Sequence, residues 1–194
     1  MSNKTLNKIY SVFKNSSGIS TDSRILKKNS IFFALKGPSF NGNNFAIEAL
    51  EKGAILSVVD DKNLEGKSDK IIYVNDTLSE LQDLARYHRK KLNIPFIGLT
   101  GSNGKTTTKN LIEKILSSKY KVKATEGNLN NHIGVPLTVL SITENDEIAI
   151  IEMGASAVGE ISLLSGICSP TIGLITNISN AHVGGFNDLD GVIR

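Results

Sequence analysis

Residues Thr100 to Thr108, TGSNGKTTT, lie between the apolar run Ile94 to Leu99 (IPFIGL) and a stretch of helical character from Lys105 to about Ser118. Strand, glycine turn and helix in that order make the setting of a phosphate loop. The glycines let backbone N–H groups turn toward phosphate oxygens, and the helix N-terminus adds partial positive charge. Lys105 can neutralise β- and γ-phosphates, and Thr106 can ligate magnesium. The general pattern has glycine five residues before Gly104; this chain has Leu99 there, with its glycines at Gly98 and Gly101, so the loop is a tight variant. A plain glycine turn with a solvated lysine is the competing reading, and the agreement of strand, loop and helix speaks against it.

Downstream, a short strand is expected near Val122, a polar loop at Gly127 to Asn131 (GNLNN), and a short helix with Pro136 in its first turn. A buried strand follows at Glu147 to Met153 (EIAIIEM), then a helix and a last strand at Thr171 to Thr176. This is the alternation of a nucleotide-binding parallel sheet. Glu152 ends its strand at the sheet's C-terminal edge, beside the phosphate loop, where magnesium would be held; a helix cap or an exposed strand end is the alternative. His182 follows the last strand by six residues and returns to the same edge, where a neutral imidazole can assist a second cation or a substrate. A lone loop histidine is more often a bystander. Asp188 can cap a helix that has hardly begun at Arg194, so this domain is expected to be unfinished, with cover for its last parallel strand coming from beyond the chain.

Upstream, Leu6, Ile9, Tyr10 and Phe13 recur at helical spacing. A polar turn (ISTDSR) precedes a buried strand at Ile31 to Leu35, and Gly37 to Asn44 (GPSFNGNN) reads as a loop facing ligand or solvent. A helix over Phe45 to Lys52 with Gly53 at C′, strands at Ala54 to Val59 and Ile71 to Val74, and a helix from Leu78 to about Leu92 complete the reading. The fold class is α/β. A small N-terminal α/β domain is expected over 1–76, and a connecting helix with an incomplete phosphate-loop parallel-sheet domain over 77–194.

A length of 194 residues allows one to two domains, and 40% hydrophobic with 21% charged residues excludes collagenous, low-complexity and disordered classes. No apolar run approaches the roughly 20 residues needed to cross a bilayer, and the N-terminus lacks the apolar core of a secretory signal. A cytoplasmic protein is expected, with no membrane insertion. Residues 1 to 92 hold 15 Lys/Arg against 10 Asp/Glu, and residues 93 to 194 hold 7 against 9. A net charge of +3 makes no case for nucleic acid. Cys168, the single cysteine, is expected to be a buried inert thiol. His88, in YHRKK, reads as surface, and His132 adjoins the asparagine loop.

Together these segments resemble the Mur ligase family, the ATP-dependent amide-forming enzymes of peptidoglycan precursor synthesis, over nearly the whole chain. TDSR at Thr21 to Arg24 and FFALKGPSFNGNNF at Phe32 to Phe45 are similar to the family's N-terminal domain for the UDP-sugar substrate, and GLTGSNGKTTTK to its ATP loop. GNLNNHIGVPLTVL at Gly127 to Leu140 and EMGASAVGEI at Glu152 to Ile161 look most like the branch joining D-alanyl-D-alanine to UDP-N-acetylmuramoyl-tripeptide; TNISNAH at Thr176 to His182 resembles the histidine-bearing segment.

The resemblance implies that Gly101, Ser102, Asn103, Gly104, Lys105, Thr106 and Thr107 cradle ATP. It implies Lys105, Glu152 and His182 as the catalytic set, with Thr106, Glu152 and His182 on Mg2+. The UDP moiety would be held through Ser23, Arg24, Lys36, Gly37 and Asn41 to Asn44, and Asn128, Asn130 and Asn131 would position substrate or nucleotide. A plain capping turn is the alternative for TDSR, and turn-making at positive φ for the asparagines. The implied substrates are small molecules, the tripeptide nucleotide and the dipeptide, and the complete enzyme is expected to be a monomer. Two departures follow from the resemblance: residues 1–194 stop short of the family's metal-site lysine and of its C-terminal domain, so these residues alone are expected to be half a ligase. A non-catalytic nucleotide or UDP-sugar binding module, the tripeptide-forming or folate-polyglutamating relatives, and an unrelated phosphate-loop ATPase remain alternatives.

Overall fold

The computed structural model describes residues 3–179, and the chain divides into two compact units, Met1–Leu84 and Ala85–Arg194. The first unit opens with α1 (Asn3–Phe13), whose Ile9 and Phe13 are buried as the helical spacing requires. Strands β1 (Ile19–Ser20) and β2 (Ile31–Phe33) follow, then a hairpin of β3 (Lys36–Gly37) and β4 (Phe40–Asn41), and a 3-10 turn at Gly42–Phe45. After α2 (Ala46–Glu51) come β5 (Leu56–Val59), a second 3-10 turn at Lys62–Leu64, and β6 (Ile71–Tyr73). The sheet is parallel in the order β1-β2-β5-β6. Ala46 and Ala49 let α2 lie close on Phe32, Ala34, Val59 and Ile71, which form one core.

Two segments differ from the sequence expectation. The ISTDSR turn begins with a two-residue edge strand, too short to leave a periodic signal. The GPSFNGNN segment is a tight hairpin and 3-10 turn rather than an open loop, because Asn41 caps that turn through its side-chain oxygen. Gly53 sits at φ +103 behind α2, as a C′ glycine should.

Helix α3 (Thr77–Arg89) begins where the Asp76 carboxylate accepts from Ser79 N at 2.6 Å, and the division between the units falls within it. The second unit runs β7 (Phe96–Thr100), α4 (Lys105–Leu116), β8 (Val122–Ala124), α5 (Gly134–Leu140), β9 (Ile148–Glu152), α6 (Glu160–Cys168) and β10 (Ile172–Ile175). Its parallel sheet has the order β10-β7-β9-β8. The chain steps outward from β7 to β8, returns through β9, and crosses to β10 on β7's other side. That reversal is a topological switch point, and the turns after β7, β9 and β10 all leave its C-terminal edge. Gly98 is required in β7, since a Cβ there would press on Pro170 and Met153. No helix among the described residues is long and apolar enough to cross a membrane.

Candidate functional site

The glycine loop is shaped by two residues at positive φ, Gly101 at +138 and Gly104 at +77. A Cβ on Gly101 would run into the Thr176 hydroxyl, while the space beside Gly104 is open. Gly104 is the N-cap of α4 and supplies no side-chain cap, so the first-turn amides of Lys105, Thr106 and Thr107 are the donors a helix start leaves for an anion. Lys105 arches back over the loop, its Nζ donating to Gly101 O at 2.6 Å and Ser102 O at 3.3 Å. Asn103, Thr106 and Thr107 are exposed.

The segment after β10 clasps the loop. Ser102 N donates to Asn177 O at 3.0 Å and Asn103 N to Asn177 Oδ1 at 3.1 Å, while Asn177 Nδ2 donates to Asn103 O at 2.9 Å. Thr176 Oγ1 donates to Asn103 O at 2.7 Å, and Ser179 N to Ser102 Oγ at 2.9 Å. These polar partners escaped the sequence reading, because nothing local in TNIS distinguishes a clasp from a solvated turn.

Glu152 closes β9 and is 2% exposed. Its Oε1 accepts from Thr106 Oγ1 at 3.3 Å and Asn130 Nδ2 at 2.9 Å, while its Oε2 is buried with no hydrogen-bond partner. An orphaned buried carboxylate oxygen beside a threonine hydroxyl suits a hard cation. The described residues contain no group of three His, Cys, Asp or Glu that could hold a metal. Magnesium does not need one, since it binds through one or two carboxylates together with substrate phosphates. His182 lies outside the described residues.

The three asparagines separate. Asn130 reaches Glu152, whereas Asn131 Oδ1 accepts Ile133 N at 3.0 Å and Gly134 N at 2.9 Å, starting α5. Asn128 is exposed, its carbonyl accepting Asn130 N at 2.8 Å. His132 lines a shallow recess with Asn131, Gly154, Glu160, Leu163 and Leu164.

His88 corrects the surface reading. It is half-buried with Nε2 at 2.8 Å from Ile142 O, and burial lowers its pKa despite that bond. Cys168 is fully buried, its thiol pushed up to about 11 by desolvation, which suits an inert role.

In the first unit, Ser23 is buried and its carbonyl accepts Lys52 Nζ at 3.2 Å. Arg24 is exposed and grips Asp22 with Nη2 to Oδ2 at 2.6 Å and Nε to Oδ1 at 2.9 Å; that hydrogen bonding holds the Asp22 carboxyl at about 2. Lys36 pairs with Asp60 at 2.9 Å. Asp60 also accepts Asn43 Nδ2 at 2.7 Å, and Asn43 Oδ1 in turn accepts Asp60 N at 3.1 Å. Burial raises the Asp60 pKa, yet the Lys36 and Asn43 hydrogen bonds outweigh it and the carboxyl lies below its usual range. Asn41 Oδ1 accepts Asn43 Nδ2 at 2.8 Å, and Gly37 makes room for the Phe40 ring. Lys36, Gly37 and Asn41 therefore share one hairpin around Asp60. No hydrogen bond or ion pair among the described residues joins that hairpin to Ser23 or Arg24. Asp60 was missed, although an acid closing an apolar strand (VVD) is the same signal that marks Glu152.

Comparison with known proteins also divides the chain in two, between residues 95 and 99 rather than after Leu84. The profile of the Mur ligase family catalytic domain matches residues 15–95, and that of the Mur ligase middle domain matches residues 99–194. The chain is 45% identical over 177 residues to UDP-N-acetylmuramoyl-tripeptide--D-alanyl-D-alanine ligase of Bacillus subtilis, covering 90% of this chain and 38% of that protein. The crystal structure of MurF from Acinetobacter baumannii superposes with a TM-score of 0.83 at 37% identity, covering 91% of this chain and 39% of that one. MurF ligase from Thermotoga maritima in complex with ADP gives a TM-score of 0.84 at 32% identity, covering 94% and 42%. The chain spans about two fifths of the length of the curated relatives it matches. With both units matched in order and the phosphate loop in its expected setting, the chain belongs to the Mur ligase family.

Proposed function

We propose that this chain carries the substrate and ATP domains of an amide ligase that joins D-alanyl-D-alanine to UDP-N-acetylmuramoyl-tripeptide in peptidoglycan precursor synthesis. The observation that carries it is Glu152, buried beside Thr106 below the phosphate loop with one oxygen unpartnered. The likeness to ligases named for those two substrates supports the choice within the family.

In this reading residues 1–76 bind the UDP moiety through Ser23, Arg24, Lys36, Gly37 and Asn41, and residues 77–194 bind ATP. A free carboxylate is a poor acyl donor, so the tripeptide's terminal carboxylate takes the γ-phosphoryl group of ATP, and the dipeptide amine then attacks the acyl phosphate, releasing phosphate. Gly101 to Thr107 hold the phosphates on backbone amides. Lys105 exchanges its carbonyl partners Gly101 and Ser102 for phosphate oxygens and stabilises the charge that develops on transfer. Thr106 and Glu152 would hold Mg2+, and the family resemblance adds His182 as a further ligand. When bound, the ion offsets charge on the transferred group. Asn130 acts beside it, and Asn128 and Asn131 line the approach of substrate. The enzyme works in the cytoplasm, as a monomer, on small molecules.

In the full-length gene product, phosphate release should require both the tripeptide nucleotide and D-alanyl-D-alanine. Equal release with a single amino acid in place of the dipeptide would overturn the assignment within the family. Calorimetry on the 194-residue chain should show Mg2+·ADP and the UDP-tripeptide binding at separate sites; competition by folate instead of the UDP-sugar would point to the folate-polyglutamating relative.

A further inference from the structure

Parallel strands exchange hydrogen bonds in a fixed alternation, so the register of one pair predicts the next bond. Between β8 and β9 the register is Val122↔Ile148, Lys123↔Ala149 and Ala124↔Ile150. One step further, Thr125 N donates to Ile150 O at 2.9 Å, as the alternation requires. The following bond should run from Glu152 N to Thr125 O. It does not form: Glu152 N donates to the Thr125 hydroxyl at 2.9 Å, and the Thr125 carbonyl accepts from Lys109 Nζ at 2.6 Å.

Lys109 lies on α4, one turn beyond Lys105, and is 6% exposed. Its carboxylate neighbour, Glu113, is 3.9 Å away and partly in solvent. A buried ammonium is costly unless its donors are satisfied. The short bond to Thr125 is thus the interaction that holds Lys109 inside, and it takes a carbonyl out of the sheet to do so.

We infer that Lys109 is a positioning residue for Glu152. By occupying the Thr125 carbonyl, its ammonium ends the β8–β9 ladder one bond early, and the chain leaves the sheet into the 126–131 loop. That loop brings Asn130 onto Glu152 Oε1. The Thr125 hydroxyl then anchors the Glu152 backbone, so the carboxylate is tied through Thr125 to the helix that carries Lys105 and Thr106. The inference rests on the reading that Glu152 holds the cation of a bound nucleotide.

The test uses the 194-residue chain as wild type, Lys109→Met, Thr125→Val and the double variant, with ADP affinity measured by calorimetry in Mg2+ and in EDTA. Lys109→Met should lose about tenfold of the affinity gained on adding Mg2+, as removal of a residue orienting a metal ligand does, while metal-free ADP affinity stays within about twofold because the phosphate-loop amides are untouched. Thr125→Val, which leaves Lys109 in place, should show the same selective loss, so the path is tested even where Lys109→Met does not fold. Hydrogen exchange at the Glu152 amide gives a second readout. Protection lost in Thr125→Val should return in part in the double variant, where the freed carbonyl can resume its place in the ladder. A wild-type chain that gains affinity from Mg2+ while both single variants gain equally overturns the inference alone, as does a parallel fall of both affinities. A wild-type chain indifferent to Mg2+ overturns the cation reading of Glu152, and the inference with it.

Discussion

Lys105 and His88 show how far a side chain's partners decide what it can do. Lys105 spends its donors on two loop carbonyls, contacts that a phosphate can replace with charge-assisted ones. Lys105→Ala should therefore weaken ADP binding at least about tenfold, the scale of one lost charged hydrogen bond, and leave binding of the UDP-tripeptide unchanged by calorimetry. Unchanged ADP affinity would remove the loop assignment. His88 sits where burial disfavours its charged form, so its folded pKa lies below the ordinary 6.5. The unfolded chain then binds the proton more readily, and this group's contribution to stability is present above pH 6.5 and lost as the pH falls below it toward the folded value. Urea titrations from pH 7.5 to 5 should show stability falling with pH, and His88→Gln should flatten that slope; an identical slope in the variant would assign it elsewhere.

At the scale of elements, glycine and arginine carry the geometry at opposite ends of two helices. α4 starts on a left-handed glycine with no side-chain cap, which leaves its first amides for a ligand. α6 ends on Ser169 at φ +41, and Arg89 caps it, donating from Nε to Cys168 O at 2.9 Å and from Nη2 to Ser169 O at 3.1 Å. The same guanidinium donates to Leu92 O at 2.9 Å and lies 3.8 Å from the Phe96 ring centre. Arg89→Met keeps the apolar stem and removes these bonds, so it should cost about 1.5–3 kcal/mol in chemical denaturation. A change below about 0.5 kcal/mol would mean that water replaces the cap, as it does at most exposed surface sites.

At the scale of the molecule, the turns after β7, β9 and β10 meet at one sheet edge, and ligand binding there should leave a footprint. Mg2+·ADP should slow amide exchange in residues 101–108, 125–131 and 152–154, and leave the amides of β2, β5 and β6 unchanged, as read by exchange mass spectrometry. Protection confined to the first unit would contradict the placement of the nucleotide. The phosphate loop, the α/β alternation and Glu152 at its strand end were legible in the sequence, because each depends on local spacing: a glycine turn between an apolar run and a helix, or a single acid closing a buried strand. The short β1, the hairpin at Lys36–Asn41 and the half-buried His88 were not, since two-residue strands have no period and the burial of a histidine depends on what packs over it. Sequence alone determined the glycine loop between strand and helix, the acid that closes a buried strand, and the order of elements that brings both to one sheet edge. Only the tertiary structure decided which partners hold them: Lys109 on Thr125 across 16 residues, Asn43 on Asp60 across 17, and Asn177 on the phosphate loop across 74. Those bonds join residues that become neighbours only once the sheets have formed, and no local pattern encodes which distant carbonyl or carboxylate a buried donor will meet.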